Sequence, residues 1–232
     1  MIDFHAHLLP GVDDGSDSVE TSLRMLERWG DPALICATPH FYADRDDPER
    51  FLRRRAGAWS ALSDALPEGS PAIRLGAEVH YFDGMSRAEA LAALCLEGTS
   101  LLLVELPFGA WTRRVYTELE QLRQRGFVPV AAHVERYLGW NGSEALSALE
   151  DREILLQCNA EWFLSRPGAR RAMRLLEAGR VQFLGSDAHN TDARPPRLRE
   201  AWERIERKLG RGPLDRLAET AARFGLITEE SV

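Results

Sequence analysis

Short apolar runs recur along the chain, and each is followed by a segment in which apolar residues return at helical spacing. The continuous hydrophobicity of these runs is typical of strands in a parallel sheet that is buried on both faces. The seven predicted strands are Met1–Phe4, Ala33–Ala37, Ile73–Val79, Leu101–Leu106, Val128–Ala132, Ile154–Cys158 and Val181–Leu184.

The segments between these runs, and the end of the chain, predict helices. The first begins in a polar Asp-Gly-Ser-Asp cluster that can cap it, and the second has Asp47 as its N-cap before Pro48. The predicted helices are Ser18–Trp29, Pro48–Leu66, Ser86–Leu96, Thr112–Arg125, Ser143–Asp151, Gly168–Ala178, Pro196–Leu209 and Pro213–Phe224. Seven alternating units with short connections favour a closed α/β barrel over an open sheet. No Gly/Pro/Ser-rich linker divides the chain, so we predict a single domain over residues 1–232.

Composition narrows the choice of function. The net charge of −7 argues against a protein that binds nucleic acid or anionic membranes through its overall charge. No apolar run approaches the roughly 18 residues of a transmembrane helix, and the N-terminus does not resemble a signal peptide. We therefore expect a cytoplasmic protein without membrane insertion. Cys36, Cys95 and Cys158 are far apart and odd in number, which predicts reduced, buried thiols rather than disulfides.

Two histidines, His5 and His7, lie one residue apart at the end of the first predicted strand. Side chains alternate along a strand, so both imidazoles project to the same side. Imidazole nitrogen is the commonest protein metal donor, and this spacing allows both rings to reach one ion. A His-x-His pair alone is also compatible with a solvated edge strand, so the rest of the chain must decide.

Residues that can bind metal follow six of the seven predicted strands, and the remaining strand, the sixth, ends in Asn159. The C-terminal ends of the strands of a parallel barrel meet at one mouth, where such folds place their chemistry. Five of the six histidines of the chain occur at these positions. The candidate ligands are His5, His7, His40, Glu78, Glu105, His133, Asp187 and His189.

The types of donor indicate which metals fit. Mixed imidazole and carboxylate ligands suit manganese, iron or zinc, and about eight donors are enough for two or three divalent ions, with Glu78 as a possible bridge. Clustered divalent ions bind phosphoryl oxygens and activate water. Arg136 and Arg194 follow the His133 and Asp187 motifs, where guanidinium groups would bind phosphate, although either could be an ordinary surface arginine.

Other hydrolase and nucleotide-binding motifs are missing from the sequence. No cysteine has an arginine six positions later, as a thiol-dependent tyrosine phosphatase requires. The P-loop, the GxGxxG fingerprint and the GxSxG elbow are also absent.

Read together, these residues resemble the polymerase and histidinol phosphatase (PHP) superfamily, and within it the CpsB/CapC-type tyrosine phosphatases of bacterial capsule and exopolysaccharide systems. The matching strings are IDFHAHLLPGVDDGS, ATPHF, GAEVHY, VELP, VAAHVERY and GSDAHNTDARPP. The resemblance implies a distorted, TIM-like (β/α)7 barrel of the PHP fold with a trinuclear centre, often containing manganese. It implies one ion on His5, His7, Glu78 and Asp187, a second on Glu78, Glu105 and His133, and a third on Asp14, His40 and His189.

The resemblance also implies that Arg136 and Arg194 contact the phosphate. Asp13, next to the predicted ligand Asp14, is interpreted as a residue that shapes the loop, and His80 as a loop histidine. We therefore expect a metal-dependent phosphomonoesterase that dephosphorylates phosphotyrosine on a bacterial tyrosine autokinase. Two alternatives stay open: a phosphatase of the same fold acting on histidinol phosphate or a nucleotide, and a metal-binding regulatory protein that docks to the kinase without turnover.

Overall fold

The computed structural model describes residues 1–227, and within them the chain alternates between strands and helices. The strands are β1 (Ile2–Ala6), β2 (Leu34–Ala37), β3 (His40–Phe41), β4 (Ala72–Leu75), β5 (Glu78–His80), β6 (Leu101–Glu105), β7 (Val128–Ala131), β8 (Leu155–Asn159) and β9 (Phe183–Gly185). The α-helices are α1 (Val19–Trp29), α2 (Pro48–Ser63), α3 (Arg113–Gln124), α4 (Leu138–Asn141), α5 (Glu144–Glu150), α6 (Ala160–Leu164), α7 (Ala169–Glu177), α8 (Leu198–Leu209) and α9 (Gly212–Arg223).

All strand pairs are parallel, and they form two sheets with the orders β1-β2-β4 and β3-β5-β6-β7-β8-β9. The two sheets are continuous along the chain, because β3 follows β2 and β5 follows β4 after short interruptions. The interruptions lie side by side: the Gly76 amide donates to the Ala37 carbonyl at 2.9 Å, and the Glu78 amide donates to the Pro39 carbonyl at 3.0 Å. The described strands therefore occupy seven positions around the sheet.

Backbone contacts between β1 and the segment after β9 close the ring. The Asp187 amide donates to the His5 carbonyl at 2.8 Å, and the His7 amide donates to the Ala188 carbonyl at 2.9 Å. Near this junction the rings of Phe4 and Phe183 stack with their centroids 3.9 Å apart. The distorted (β/α)7 barrel expected from the sequence is confirmed.

Gly76 explains why the second and third strand positions are interrupted at the same level. A Cβ atom at Gly76 would lie 2.6 Å from Cδ2 of Leu96 and 3.3 Å from Cγ2 of Thr38, so only glycine fits this close approach. Pro39, in the neighbouring interruption, has no amide hydrogen to donate to a ladder. The strand predicted over Ile73–Val79 is therefore two strands.

The helices surround the barrel. Asp47 caps α2 as predicted, accepting from the amides of Glu49 and Arg50, whereas α1 is capped by Ser18, which accepts from the Thr21 amide, rather than by the Asp-Gly-Ser-Asp cluster before it. Three segments differ from the prediction. Ser86–Leu96 forms two 3₁₀ helices, at Met85–Arg87 and Glu89–Leu94, and both α4 and α6 lie where no helix was predicted. No helix within residues 1–227 is long and apolar enough to span a bilayer.

Candidate metal centre

Nine histidine, aspartate and glutamate side chains gather at the C-terminal mouth of the barrel. Their ligand atoms fall into four groups, in each of which all the atoms lie within 4.8 Å of one another. The groups are His7, Asp14, His40 and His189; His5, His7 and Asp187; His5, Glu78 and His133; and His40, Glu78 and Glu105. The nine residues are the nine that the sequence predicted as ligands, and their division among individual ions stays a prediction.

The first strand presents two imidazoles to one point, as the alternation along it predicted. Nε2 of His5 lies 3.1 Å from Nε2 of His7. Their other ring nitrogens are turned outward, with His5 Nδ1 3.3 Å from Oε1 of Gln157 and His7 Nδ1 2.6 Å from Oδ2 of Asp13. An acceptor at Nδ1 fixes the proton there and leaves Nε2 free to bind a metal, which is the arrangement that oriented histidine ligands use.

Glu78 lies at the centre of the cluster and is completely buried. Its Oε1 is 2.7 Å from His133 Nε2, and its Oε2 is 3.1 Å from His5 Nε2 and 2.9 Å from His40 Nδ1. Burial raises the pKa of this carboxyl group, but the charge of His5 and hydrogen bonds from the neighbouring imidazoles outweigh burial and hold the pKa well below its usual range. Glu78 is therefore an ionised carboxylate. Its two oxygens face different imidazoles, so each could bind a different ion, as a bridging ligand requires.

Asp187 stands on the other side of the pair formed by His5 and His7. Its Oδ1 lies 3.4 Å from His7 Nε2 and 3.8 Å from His5 Nε2, and the side chain of Asn159 donates to its Oδ2 at 2.8 Å. Burial raises the pKa of Asp187, but the charges and hydrogen bonds of His5 and His7 outweigh it and hold the pKa well below the usual range.

Two of the candidate ligands adopt left-handed backbone conformations, His133 with φ of 31° and Asp187 with φ of 53°. Residues other than glycine rarely occupy this region, and surrounding contacts must stabilise them there. Gln157 provides one such contact, because its Oε1 accepts from the His133 amide at 2.7 Å. The hydrogen bond from the Asp187 amide to the His5 carbonyl, which closes the ring of strands, stabilises the backbone of Asp187 in the same way.

Asp14, His40 and His189 form the more open part of the centre. Nε2 of His40 and Nε2 of His189 each lie 3.6 Å from Oδ1 of Asp14, whose side chain is 69% exposed. Burial lowers the pKa of His189 to about 3, with further contributions from the positive charges of His7 and Arg194. His189 is therefore neutral at pH 7, as a metal ligand must be.

The unpaired polar atoms test whether this donor set fits a metal. Within residues 1–227, five buried side-chain polar atoms have no partner in hydrogen-bond geometry, and three of them belong to the centre: His40 Nδ1, Glu78 Oε2 and His189 Nε2. His40 Nδ1 and Glu78 Oε2 face each other at 2.9 Å without forming such a bond. Unpaired buried polar atoms are costly in a folded protein. Divalent cations would satisfy all three, and nitrogen and oxygen donors of these types suit manganese, iron or zinc. The residues present therefore fit a multinuclear metal centre.

The two predicted arginines lie at the mouth and converge on Asp187. Arg194 donates to Oδ1 of Asp187 at 2.6 Å, and Arg136 donates to Oδ2. About a third of each arginine side chain is exposed, 34% for Arg136 and 37% for Arg194. Both guanidinium groups border a cavity of about 350 Å³, which also contacts Asn159 and Trp162.

Comparison with known proteins places the chain in a family. The family model for capsular polysaccharide synthesis proteins CpsB/CapC matches residues 1–224. The chain belongs to the CpsB/CapC family. The family expected from the sequence is thereby confirmed.

Characterised relatives of this CpsB/CapC protein are named tyrosine-protein phosphatases. The chain is 29% identical to CpsB of Streptococcus pneumoniae over 229 residues, covering 90% of this chain and 91% of the relative. It is 30% identical to YwqE of Bacillus subtilis over 220 residues, covering 90% and 85%. One of the crystal structures described as those of YwqE from Bacillus subtilis and CpsB from Streptococcus pneumoniae, unique metal-dependent tyrosine phosphatases, matches with a TM-score of 0.82 and 26% identity, covering 97% of this chain and 94% of that one.

Four residues of the CpsB/CapC centre were not predicted to support it. Asp13 shapes its loop as expected, accepting from the Gly15 amide at 2.9 Å, but it also accepts from His7 and from the His40 amide at 2.8 Å. The other three are Gln157, Asn159 and Tyr137, whose hydroxyl lies 3.3 Å from His133 Nδ1. Of these four residues, only Asn159 had a signal in the sequence that linked it to the centre, namely its position at the end of a predicted strand. The contacts of the others depend on tertiary structure.

His80 lies beside the centre rather than among the grouped ligand atoms. Its Nδ1 is 2.9 Å from Oε2 of Glu105, and its side chain is partly exposed. In this CpsB/CapC chain His80 therefore orients Glu105 from the solvent side.

Proposed function

We propose that this CpsB/CapC protein is a metal-dependent tyrosine-protein phosphatase that acts on a phosphorylated bacterial tyrosine kinase of a capsule or exopolysaccharide system. The enzyme class expected from the sequence is confirmed by the family and by its relatives. The kinase as substrate and manganese as the favoured metal, with two or three ions bound, are the finer parts of the proposal. The observation that carries it is the buried Glu78 carboxylate, surrounded by imidazoles, together with the two arginines that bind Asp187 at the mouth.

The bound ions would supply the chemistry that clustered divalent ions provide, namely neutralisation of phosphoryl oxygens and a lowered pKa for water. The chain supplies the rest. His5, His7, Glu78 and Asp187 would hold ions in the buried part, and Asp14, His40 and His189 in the open part. Arg136 and Arg194 are held by Asp187 at the edge of the same mouth, where guanidinium groups bind phosphoryl oxygens and stabilise the charge of the transition state.

A cysteine nucleophile is incompatible with the structure. Cys36, Cys95 and Cys158 are all buried. Burial raises the pKa of Cys95 to about 11, and it raises the pKa of the other two thiols as well. A thiol that stays protonated and inaccessible cannot attack phosphorus. Direct hydrolysis without a covalent intermediate on cysteine therefore agrees with both the sequence and the structure.

The test is metal analysis of the purified protein combined with phosphate release from a phosphotyrosine peptide after manganese has been restored. We expect divalent metal at more than one equivalent and hydrolysis that chelation abolishes. Asp187→Ala and His40→Ala should remove activity and lower metal content, whereas Asp192→Ala, an exposed residue of the same loop, should not. A metal-free protein with full activity, or an active Asp187→Ala variant, would contradict the proposal. Faster hydrolysis of histidinol phosphate or a nucleotide would contradict the substrate assignment alone.

A further inference from the structure

Two aromatic side chains, Phe108 and Trp140, are unusually exposed. Within residues 1–227 they are the two large hydrophobic side chains with most of their surface accessible to solvent, 55% and 57%. Their ring centroids lie 6.2 Å apart with an interplanar angle of 76°, which is an edge-to-face pair. Exposed apolar surface in a soluble domain commonly marks a binding site.

The pair is continuous with the metal centre. Phe108 follows the end of β6, three residues after Glu105, and Trp140 belongs to α4, which follows the segment of His133 and Arg136. The ring centroid of Phe108 lies 5.6 Å from that of Tyr137, and the Tyr137 ring lies 5.8 Å from the ring of His133. One buried aromatic side chain therefore separates Phe108 from a candidate ligand.

Asn141 holds the two loops that present the pair. Its Nδ2 donates to the Gly109 carbonyl at 2.8 Å, and its Oδ1 accepts from the Trp111 amide at 2.7 Å. The indole of Trp111 in turn donates to the Pro107 carbonyl at 3.0 Å. These bonds tie the loop of Phe108 to the helix of Trp140, so the exposed pair is fixed by the fold rather than placed by a free loop.

We infer that Phe108 and Trp140 form an aryl platform that receives the phenyl ring of phosphotyrosine while its phosphate lies at the metal centre. The inference rests on the proposed function. Aromatic rings attract each other at centroid distances of roughly 4.5 to 7 Å. With the phosphate at the metal centre, the phenyl ring of phosphotyrosine would extend outward by about the depth of one side chain and would meet Phe108. Phosphoserine and phosphothreonine have no ring to offer, and the platform therefore favours tyrosine.

The test compares substrates with and without a ring in the manganese-loaded enzyme. For Phe108→Ala combined with Trp140→Ala we expect kcat/KM for free phosphotyrosine to fall about tenfold, mainly through KM. Hydrolysis of phosphoserine and inhibition by inorganic phosphate should stay unchanged. Asn141→Ala should reproduce part of the loss, because it releases the loop of Phe108. Phe127→Ala is the matched control, since Phe127 precedes β7 at the opposite end of the barrel.

Inhibition by phenylphosphonate and methylphosphonate provides a second readout. The double variant should weaken inhibition by phenylphosphonate and leave inhibition by methylphosphonate as in the wild type. Equal losses for ring and non-ring compounds would overturn the platform, and so would a loss confined to peptides with apolar residues beside the phosphotyrosine. If the wild type hydrolysed no phosphate ester, the proposed function would fail. Calorimetry of the binding of the two phosphonates to the wild type and to the double variant would still test the platform.

Discussion

Nδ1 of His7 lies 2.6 Å from Oδ2 of Asp13, a residue of the loop that follows the first strand. The same carboxylate accepts hydrogen bonds from the amides of Gly15 and His40. Asp13 thus connects a candidate ligand, its own loop and the start of β3. The carboxylate fixes the orientation and the tautomer of His7, and it does so from outside the set of predicted ligands.

Replacing Asp13 by asparagine should therefore weaken metal binding without removing a ligand. Loss of a carboxylate that orients a ligand histidine lowers metal affinity by about 10- to 100-fold. The measurement is calorimetric titration of the metal-free protein with manganese. Asp17→Asn, at an exposed position in the same loop, is the control and should bind as the wild type does. Equal affinities for Asp13→Asn and the wild type would show that His7 needs no such partner.

Metal binding should release protons at about pH 7. Burial lowers the pKa of His7, but the charge of Asp13 and its hydrogen bond outweigh burial and raise the pKa well above its ordinary value. The metal-free His7 therefore keeps its proton at neutral pH, and an ion must displace it. Manganese affinity should rise with pH until the raised pKa of His7 is passed.

Calorimetry in buffers with different ionisation enthalpies counts the protons released. The wild type should release at least one at about pH 7, and Asp13→Asn should release fewer because the largest cause of the raised pKa of His7 is gone, although Asp187 and Glu78 still raise it. His189, with a pKa of about 3, should contribute none. Observing no proton release from the wild type would contradict the protonation state assigned to His7.

Substituting Arg136 or Arg194 by methionine should impair catalysis more than metal binding. Each removes guanidinium donors at the mouth, and loss of one such donor commonly costs about 100-fold in rate. Lysine at either position should recover only part of the activity, because it keeps the charge but not the forked geometry. Steady-state kinetics with metal analysis gives both quantities. Arg53→Met, an exposed arginine of α2 paired with the exposed Glu49, should remain close to the wild type. A similar loss in all three variants would point to a general effect of charge.

Removing the carboxylate of Asp3 should destabilise the whole fold. Asp3 is buried and accepts hydrogen bonds from the Ser186 amide at 2.8 Å, the His5 amide at 3.2 Å and Nε1 of Trp29 at 2.5 Å. Asp3→Ala leaves these donors unpaired, at a cost of roughly 1 to 3 kcal/mol each. The free energy of unfolding in urea should fall by about 3 kcal/mol or more. Asp44→Ala, at an exposed site, should change it by less than about 0.5 kcal/mol.

The gathering of the candidate ligands at one mouth was predictable because it depends on local spacing and on chain topology. Alternation along a strand places His5 and His7 on one side, and the rule that parallel strands end at one mouth brings the donors of distant strands together. Both features can be read from a one-dimensional pattern. The supporting contacts cannot, because Gln157 meets His5 only after strands from distant parts of the chain have come together, and the contact of Asp13 with His7 depends on how the loop between them turns.

The segment Ser86–Leu96 shows why one predicted helix was wrong in type. The guanidinium of Arg125 donates to the carbonyls of Ser86 and Ala88, and the Glu118 carboxylate accepts from the amides of Gly84 and Ser86. A side chain in the middle of α3 and one just beyond its end thus take backbone groups that a regular α-helix would pair internally. The spacing of apolar residues along the segment carries no information about Arg125 and Glu118, whose side chains compete for its backbone groups.

The backbone bond from Asp187 to His5 joins the last described strand position to the first, and it does so among the metal donors themselves. An ion held by residues from both ends of the barrel binds only a chain whose ring has closed, so its binding free energy adds to that of closure. The free energy of unfolding should therefore increase with the concentration of free metal, even when unfolding is followed by a probe far from the centre. If His189 is a ligand, as we propose, the centre is complete only after that residue has been added and β9 has docked, and we therefore expect metal acquisition to be one of the last steps of folding.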